Sequence, residues 1–365
     1  MATLTSARPS SSDAVNTAPY YSRQLRQFML KALVTLLTCM LLLVYLLPLG
    51  NMMLSSISTR EQLSQSASDS VIPSEPVTYN YQGTDYPLYS VPTPDGVIHT
   101  WALVEDRRNS SDFIDPANPE AGLIRWEGSW RTLQPERTFA PAWDNFGIAW
   151  EGIKFPRVFM NTLIISVIGM IGTLLSCICV AYAFARFPLP GKNILFVILI
   201  GTIILPSQVT LIPTYAFFAT IGWTNTMLPL IVPHFFANAY NVFLLRQFFL
   251  TLPRELDEAA MIDGAGPFKV LTSVIIPQSW PAIIAVGVFH FVWSWNDFFG
   301  PLIYLIGKPD LQPISVAVQV FNFSYGPHPE LIQATSLMAL VLPLIIFFLA
   351  QRFFMRGVVI TGVEK

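Results

Sequence analysis

Charge is what this chain has least of. Only 12% of its 365 residues are Asp, Glu, Lys or Arg, about half the share usual in soluble domains. The formal net charge is −2, which argues against a nucleic-acid or strongly anionic partner. Cysteine is scarce as well. Cys39, Cys177 and Cys179 all fall within apolar runs, and two cysteines at i and i+2 of a helix point to different faces, so neither a disulfide nor a shared metal is expected. They read as small apolar filler. The chemistry-bearing patterns are missing too: no Ser/His/Asp set, no HExxH and no paired carboxylates. Gly264-Ala265-Gly266-Pro267-Phe268-Lys269 and Pro190-Gly191-Lys192 lack the spacing and the following Ser or Thr of a phosphate-binding loop. No catalytic residue, cofactor site or metal site is expected. His234 and His290 sit in apolar runs, where packing or a place along a pathway suits them better than ligation.

What is present in quantity is apolar sequence. The chain is 53% hydrophobic, with a mean hydropathy of +0.50. Charged residues are absent from Ala32 to Thr59, Val158 to Ala185, Asn193 to Leu245, Val270 to Asn296 and Leu331 to Gln351. A spanning helix needs roughly 20 apolar residues. The run from Asn193 is too long for one helix and contains a polar break, Gly222-Trp223-Thr224-Asn225-Thr226. Splitting there predicts an all-α integral membrane protein with six transmembrane helices, at about 31–53, 158–185, 194–219, 227–249, 272–299 and 333–353. The first run follows a basic segment, as a secretory signal would, but it is longer than an ordinary signal core and reads as an uncleaved span.

Lys and Arg set the orientation. With the N-terminus in the cytoplasm, twelve of them lie inside (Arg8, Arg23, Arg26, Lys31, Arg186, Lys192, Arg246, Arg254, Lys269, Arg352, Arg356 and Lys365) and the short outer loops hold only Lys308. The expected topology is N-in, C-in. Along the chain this gives a disordered cytoplasmic tail (1–22), a first transmembrane helix (23–53), a long extracytoplasmic loop (54–157), a five-helix transmembrane domain (158–355) and a cytoplasmic tail (356–365). The long loop contains strand-like stretches at 77–81 and 97–104 punctuated by Pro and Gly, so a small β-rich subdomain fits there. Trp126, Trp130 and Trp143 suit either its core or the membrane interface. Asn109-Ser110-Ser111 and Asn322-Phe323-Ser324 match the glycosylation pattern but carry little weight on so short a signal.

Two kinds of place invite a functional reading: interruptions and polar residues within the apolar runs, and one polar segment between two of them. Pro206 and Pro213 interrupt the third run. They would either line a pathway with broken helices or act as packing kinks. Asn296 and Asp297 stand near the outer end of the fifth run among Trp293, Trp295, Phe298 and Phe299. Asp297 serves either structural hydrogen bonding or solute and gate contact, and the aromatics either stack on sugar rings or anchor at the interface. The second kind is the polar segment TLPRELDEAAMIDGAGPFKVLTSVIIPQSWP, residues 251–281. Pro253 suits a helix start, Glu255, Asp257 and Glu258 favour the helix dipole, Gly264 can end the helix in the left-handed conformation, and Pro267 starts a second one. Ala259 and Ala260 leave the first helix a side of little bulk against which a partner could come close. An ordinary amphipathic interfacial helix would read similarly on composition alone.

The order of residues goes further. Glu258-Ala259-Ala260, three residues, Gly264, nine residues, Val274, one residue, Ile276-Pro277 resembles the EAA loop of ABC importer permeases. It departs from E-A-A, three, G, nine, I, one, L-P only by Val for Ile and Ile for Leu. The likeness is nearest to the maltose-permease type of carbohydrate importer subunit. It extends through Trp143-Asp144-Asn145-Phe146, Ala181-Tyr182-Ala183-Phe184-Ala185-Arg186, Phe243-Leu244-Leu245-Arg246 and Trp295-Asn296-Asp297-Phe298, covering about 20–60 and 138–365. Segment 61–137 is longer than that family usually shows. The resemblance implies a bacterial inner-membrane subunit of an ATP-driven, binding-protein-dependent importer for sugars or oligosaccharides, with glycerol phosphates and polyols as further solutes. It implies a homologous second permease subunit, a dimer of cytoplasmic ATPase subunits and an extracytoplasmic solute-binding protein as partners. It also implies a coupling loop, 251–277, carried by Glu258, Ala259, Ala260, Asp263, Gly264 and Pro277. The competing function is a stand-alone secondary transporter of a small polar solute, which the scarcity of intramembrane charge and the lack of an evident inverted repeat disfavour.

Overall fold

The computed structural model describes residues 18–64, 72–93, 96–107, 110–323 and 326–359. The expected disordered tail, apart from its last few residues, and the end of the C-terminal tail lie outside these, as do Asn109 and Ser324 of the two glycosylation patterns. The chain divides into two compact units, residues 1–52 and 53–365.

The first unit is carried by helix α1 (Ala18–Ser56), which contains Pro48. Its apolar side chains from Leu25 to Leu47 are exposed all round, the pattern of a helix meant for an apolar solvent. In the second unit, α2 (Arg60–Ser64) leads into a small sheet. Strands β1 (Ser74–Pro76) and β8 (Arg137–Phe139) pair antiparallel. Strands β2 (Thr78–Tyr81), β3 (Thr84–Pro92), β4 (Ile98–Glu105), β5 (Ser110–Ile114) and β6 (Ile124–Glu127) follow one another in a meander, and β7 (Gln134–Pro135) adds to β3. The β2–β3 turn is two residues long because Gln82 and Gly83 both take positive φ, which matches the strand twist. Val91, Trp101, Leu103, Phe113 and Leu133 form the core of this sheet, with Trp126 and Trp130 against it. Trp143 is left exposed.

The helical body begins with α3 (Asp144–Gly152) and the long α4 (Phe155–Arg186). α5 (Lys192–Gly201) and α6 (Ser207–Thr220) follow, then α7 (Leu228–Ile231) and α8 (Ala239–Thr251). α9 (Glu255–Ile262), α10 (Pro267–Val270) and α11 (Ile276–Gln278) precede α12 (Trp280–Trp295). Three short helices, α13 (Phe299–Tyr304), α14 (Ile314–Ala317) and α15 (Val320–Phe323), lead to α16 (Pro329–Val359). Among the described residues four helical stretches are long and apolar enough to cross a membrane: Leu25–Ser56, Phe155–Arg186, Leu228–Thr251 and Pro329–Phe353. The number rises to six if each of two bent pairs is one span. One pair bends by 98° between 204 and 209, where Pro206 takes an extended conformation; the other bends by 81° at Ser279.

Lipid tails are as apolar as leucine, so helices in a bilayer associate through close packing and small residues rather than through escape from water. α4 shows this. A Cβ on Gly172 would stand 2.6 Å from the Phe235 ring, and one on Gly169 would stand 3.0 Å from His234. The irregular 232–238 stretch can therefore lie directly on α4. Its freed carbonyls are met from the same helix: Ser176 Oγ donates to His234 O at 3.2 Å and Cys177 Sγ to Asn238 O at 3.8 Å. Backbone carbonyls left without a helical partner in a packed interior need such donors. Cys177 is buried here while Cys179 is exposed.

Among the described residues three apolar clusters hold the body: a small one joins Ile165, Phe218, Leu230, Tyr304 and Leu305, and two are larger. One joins Ala149, Phe155, Val158, Phe291, Trp295, Ile314 and Leu331. The other joins Cys177 to Ala185 of α4 with Val242, Leu245 and Phe249 of α8, Val270 to Ile275, and Ile283 and Val286 of α12. The second core carries the hairpin formed by α9 and α10.

Candidate functional site

Helix α9 forms where sequence and electrostatics agree. Its first turn holds Glu255, Asp257 and Glu258, beside the unpaired N–H groups that favour negative charge. It ends in a Schellman motif: Gly264 N–H donates to Met261 O at 3.0 Å and Ala265 N–H to Ala260 O at 2.9 Å, with Gly264 at φ +81°. An L-residue there would be strained. Pro267 then opens α10. Leu271–Ile275 form a π-helical turn immediately before Pro277, a position where the proline ring and its missing N–H disturb regular α-helical bonding. Ile275 is buried, and the motif positions Val274 and Ile276 pack on the second core, while Pro277 itself is exposed. The apolar end of the motif thus anchors the hairpin to the body.

The two faces of α9 differ. Glu255, Leu256, Glu258, Ala259, Met261, Ile262, Asp263 and Gly264 are exposed, with Ile262 at 86% and Phe268 of α10 at 77%. Ala260 instead leans on the chain's own core together with Ala265, so of the two alanines only Ala259 offers its side outward. Asp257, at 6% exposure, is the buried member of the helix. Its Oδ2 lies 2.8 Å from Nε of Arg186, off the N–H axis, so the contact is an ion pair rather than a linear hydrogen bond. Burial pushes the Asp257 carboxyl above its ordinary range more than Arg186 and Arg254 pull it down. Arg186 Nη2 donates to Leu252 O at 3.0 Å, and Tyr182, one turn earlier, donates to Pro267 O at 3.2 Å.

The other residues singled out in the sequence lie apart from the hairpin. Pro206 and Pro213 sit on α5–α6, most of whose described side chains are exposed. Asn296 Nδ2 donates to Val292 O at 2.8 Å. Asp297 accepts from Gly300 N–H at 3.3 Å through Oδ1 and from Ser315 Oγ at 2.6 Å through its carbonyl, so it ties α12, α13 and α14 together. Trp295 is buried against Phe291 and Phe159, whereas Trp293 and Phe299 are exposed. The two histidines meet: the His234 and His290 rings are 4.6 Å apart with Thr173 beside His290. Among the described residues no group of three His, Cys, Asp or Glu could hold a metal ion.

Residues 172–359 match the family described as binding-protein-dependent transport system inner membrane component. The osmoprotective compounds uptake permease protein GgtD of Synechocystis sp. is 32% identical over 260 residues, 69% of this chain and 85% of that protein. The alpha-glucoside transport system permease protein AglG of Rhizobium meliloti is 30% identical over 60% of each chain. A chain from the crystal structure of a bacterial ABC transporter involved in the import of the acidic polysaccharide alginate superposes with a TM-score of 0.62 at 16% identity, covering 90% of this chain and 98% of that one; it shows the shared fold. The chain belongs to the family of binding-protein-dependent transport system inner membrane components. It is a permease subunit of the inner membrane and not an enzyme.

Proposed function

We propose that the chain spans the membrane six times with both ends in the cytoplasm and that the α9–α10 hairpin takes up the motion of a separate ATPase dimer. The observation that carries this is the two-sidedness of α9. Its inner side is fixed by Asp257 and Ala260, and its outer side presents Leu256, Ala259, Met261 and Ile262 among the acids Glu255, Glu258 and Asp263. An apolar helix face rimmed by charge suits a groove in a partner. The basic residues Lys192, Arg246, Arg254 and Lys269 lie near this end of the chain's helices, which supports its cytoplasmic side. The exposed apolar faces of α5 and α6 suit a second, homologous permease subunit, and Pro206 and Pro213 then stand along the shared pathway. Asn296 and Asp297 stand at its opposite end, as gate supports rather than solute ligands. The sheet of residues 74–139 lies on the extracytoplasmic side, where a solute-binding protein delivers its cargo. The relatives named for alpha-glucosides and sn-glycerol-3-phosphate support a sugar, an oligosaccharide or a polyol derivative as solute.

Alternating access then follows as a rigid-body change, driven by ATPase contacts that differ between two states. A cysteine at Ala259 should cross-link to an ATPase subunit in native membranes, and Glu258→Lys should abolish uptake of a radiolabelled alpha-glucoside or of sn-glycerol-3-phosphate while leaving the protein in the membrane. Normal uptake in the Lys variant, or no ATPase captured from position 259, would refute the coupling role.

A further inference from the structure

The covalent path from α9 to the membrane body runs one way through Leu252–Arg254 to α8 and the other way through α10, a π-helical turn and a bend of 81° to α12. Neither route leads straight from α9 to α4: the chain reaches the body through α8 on one side and α12 on the other. α4 has no covalent link to the hairpin, yet its last two turns touch it at three successive points. Arg186 donates to Leu252 O just before α9, pairs with Asp257 inside α9, and Tyr182 donates to Pro267 O at the start of α10. The Arg186 and Asp257 side chains are 7% and 8% exposed, and Asp257 Oδ1 finds no hydrogen-bond partner among the described residues. The arginine is therefore the polar tether of the only buried acid on α9.

We propose that Arg186 is a positioning residue for transport: its buried pair with Asp257 locks the hairpin to α4, so that a displacement of α9 is delivered directly to α4 and not only along the chain to α8 and α12. The inference rests on the coupling role given to α9 above. Removing one partner alone strands a charge, which destabilises the fold for reasons unrelated to coupling, whereas replacing both by apolar residues of similar volume is often neutral for stability. The Arg186→Met/Asp257→Leu double variant therefore separates the two effects, and Arg186→Lys tests retention of the charge.

The experiment uses the assembled transporter, with ATP plus vanadate as the probe. Spin labels are placed at the exposed native Cys179 of α4 and at Lys269→Cys on α10, away from the docking face of α9, in a background of Cys39→Ser and Cys177→Ala. The Ala259→Cys cross-link to the ATPase subunit is scored in parallel, without the labels. In the native pair the 179–269 distance should be narrowly distributed and should stay so when ATP and vanadate bind. In the double variant the cross-link and the rate of ATP hydrolysis should persist, the distance distribution should at least double in width, and solute moved per ATP should fall at least tenfold. Arg186→Lys should restore the narrow distribution. An unchanged distribution with unchanged solute per ATP in the double variant would overturn the lock, as would a broad distribution in the native pair. So would losses of cross-link, hydrolysis and uptake in equal proportion, which mark a folding role alone. Absence of the cross-link in the native pair would instead overturn the coupling role itself, and the lock with it.

Discussion

Gly264 offers the sharpest test of the hairpin, because its backbone is left-handed and its surroundings are empty. Its φ is +81° and a Cβ there would meet nothing within 4 Å, so the cost of a substitution is conformational and not steric. For an ordinary L-residue the left-handed region costs about 1–2 kcal/mol. The alternative is to let the turn unwind, which gives up the Gly264 N–H to Met261 O and Ala265 N–H to Ala260 O bonds. At about 0.5–1.5 kcal/mol each, their loss would cost about as much as the strain or somewhat more. Gly264→Ala should therefore keep the hairpin mostly formed but reduce its docked population by roughly five- to thirty-fold. Asn tolerates this region better, and Asn225 of this chain already holds φ +61°, so Gly264→Asn should lose less. Proline, fixed near φ −65°, cannot take this conformation at all and should lose the hairpin. The assay is the apparent affinity of the reconstituted permease for its ATPase subunits, followed by solute uptake. The expected order is Gly, Asn, Ala, Pro. Equal affinities for Gly, Ala and Asn, or uptake retained by Gly264→Pro, would refute the reasoning.

Other predictions follow from packing. Asn145 Nδ2 donates to both Ser56 O and Ser58 O at 2.9 Å in a buried site; Asn145→Ala should cost about 2 kcal/mol and lower the apparent Tm in detergent, with an unchanged Tm counting against the bridge. Gly172→Ala should destabilise by about 1–3 kcal/mol through the clash with Phe235. Gly147→Ala on α3, with nothing within 4 Å, should stabilise by about 0.5–1 kcal/mol. Paired thermal unfolding of the two variants checks that opposite sign.

Local signals in the sequence were strongest where a single residue dictates backbone geometry. Gly264, Pro267 and Pro277 mark the limits and the kink of the hairpin, and Pro206 marks the bend between α5 and α6. The strand-like stretches at 77–81 and 97–104 coincide with β2 and β4 because a half-buried strand advertises itself by alternation and β-branched or aromatic residues. Three features were not legible. Asp257 looked like one more acid in a first turn, and Arg186 like one more cation at a helix end; that they pair depends on the packing of α4 against α8 and the hairpin, which no local periodicity encodes. Ala260 turns inward because α9 lies on the second core, whereas equal side-chain sizes gave no way to tell it from Ala259. The short helices α13 to α15, tied by Asp297 and Ser315, carry too few residues for a hydrophobic period to show.

The burial of Arg186 and Asp257 also sorts the hairpin's contacts by how ionic strength reaches them. Dissolved ions screen exposed charges beyond about 8 Å at physiological salt but act much less on charges shut away from water. Glu255, Glu258 and Asp263 face outward, while the pair beneath them does not. Raising the salt concentration should thus weaken a partner's grip on the outer side of α9 without unseating the helix from its own subunit, so that high-salt washing strips the partner and leaves the hairpin standing.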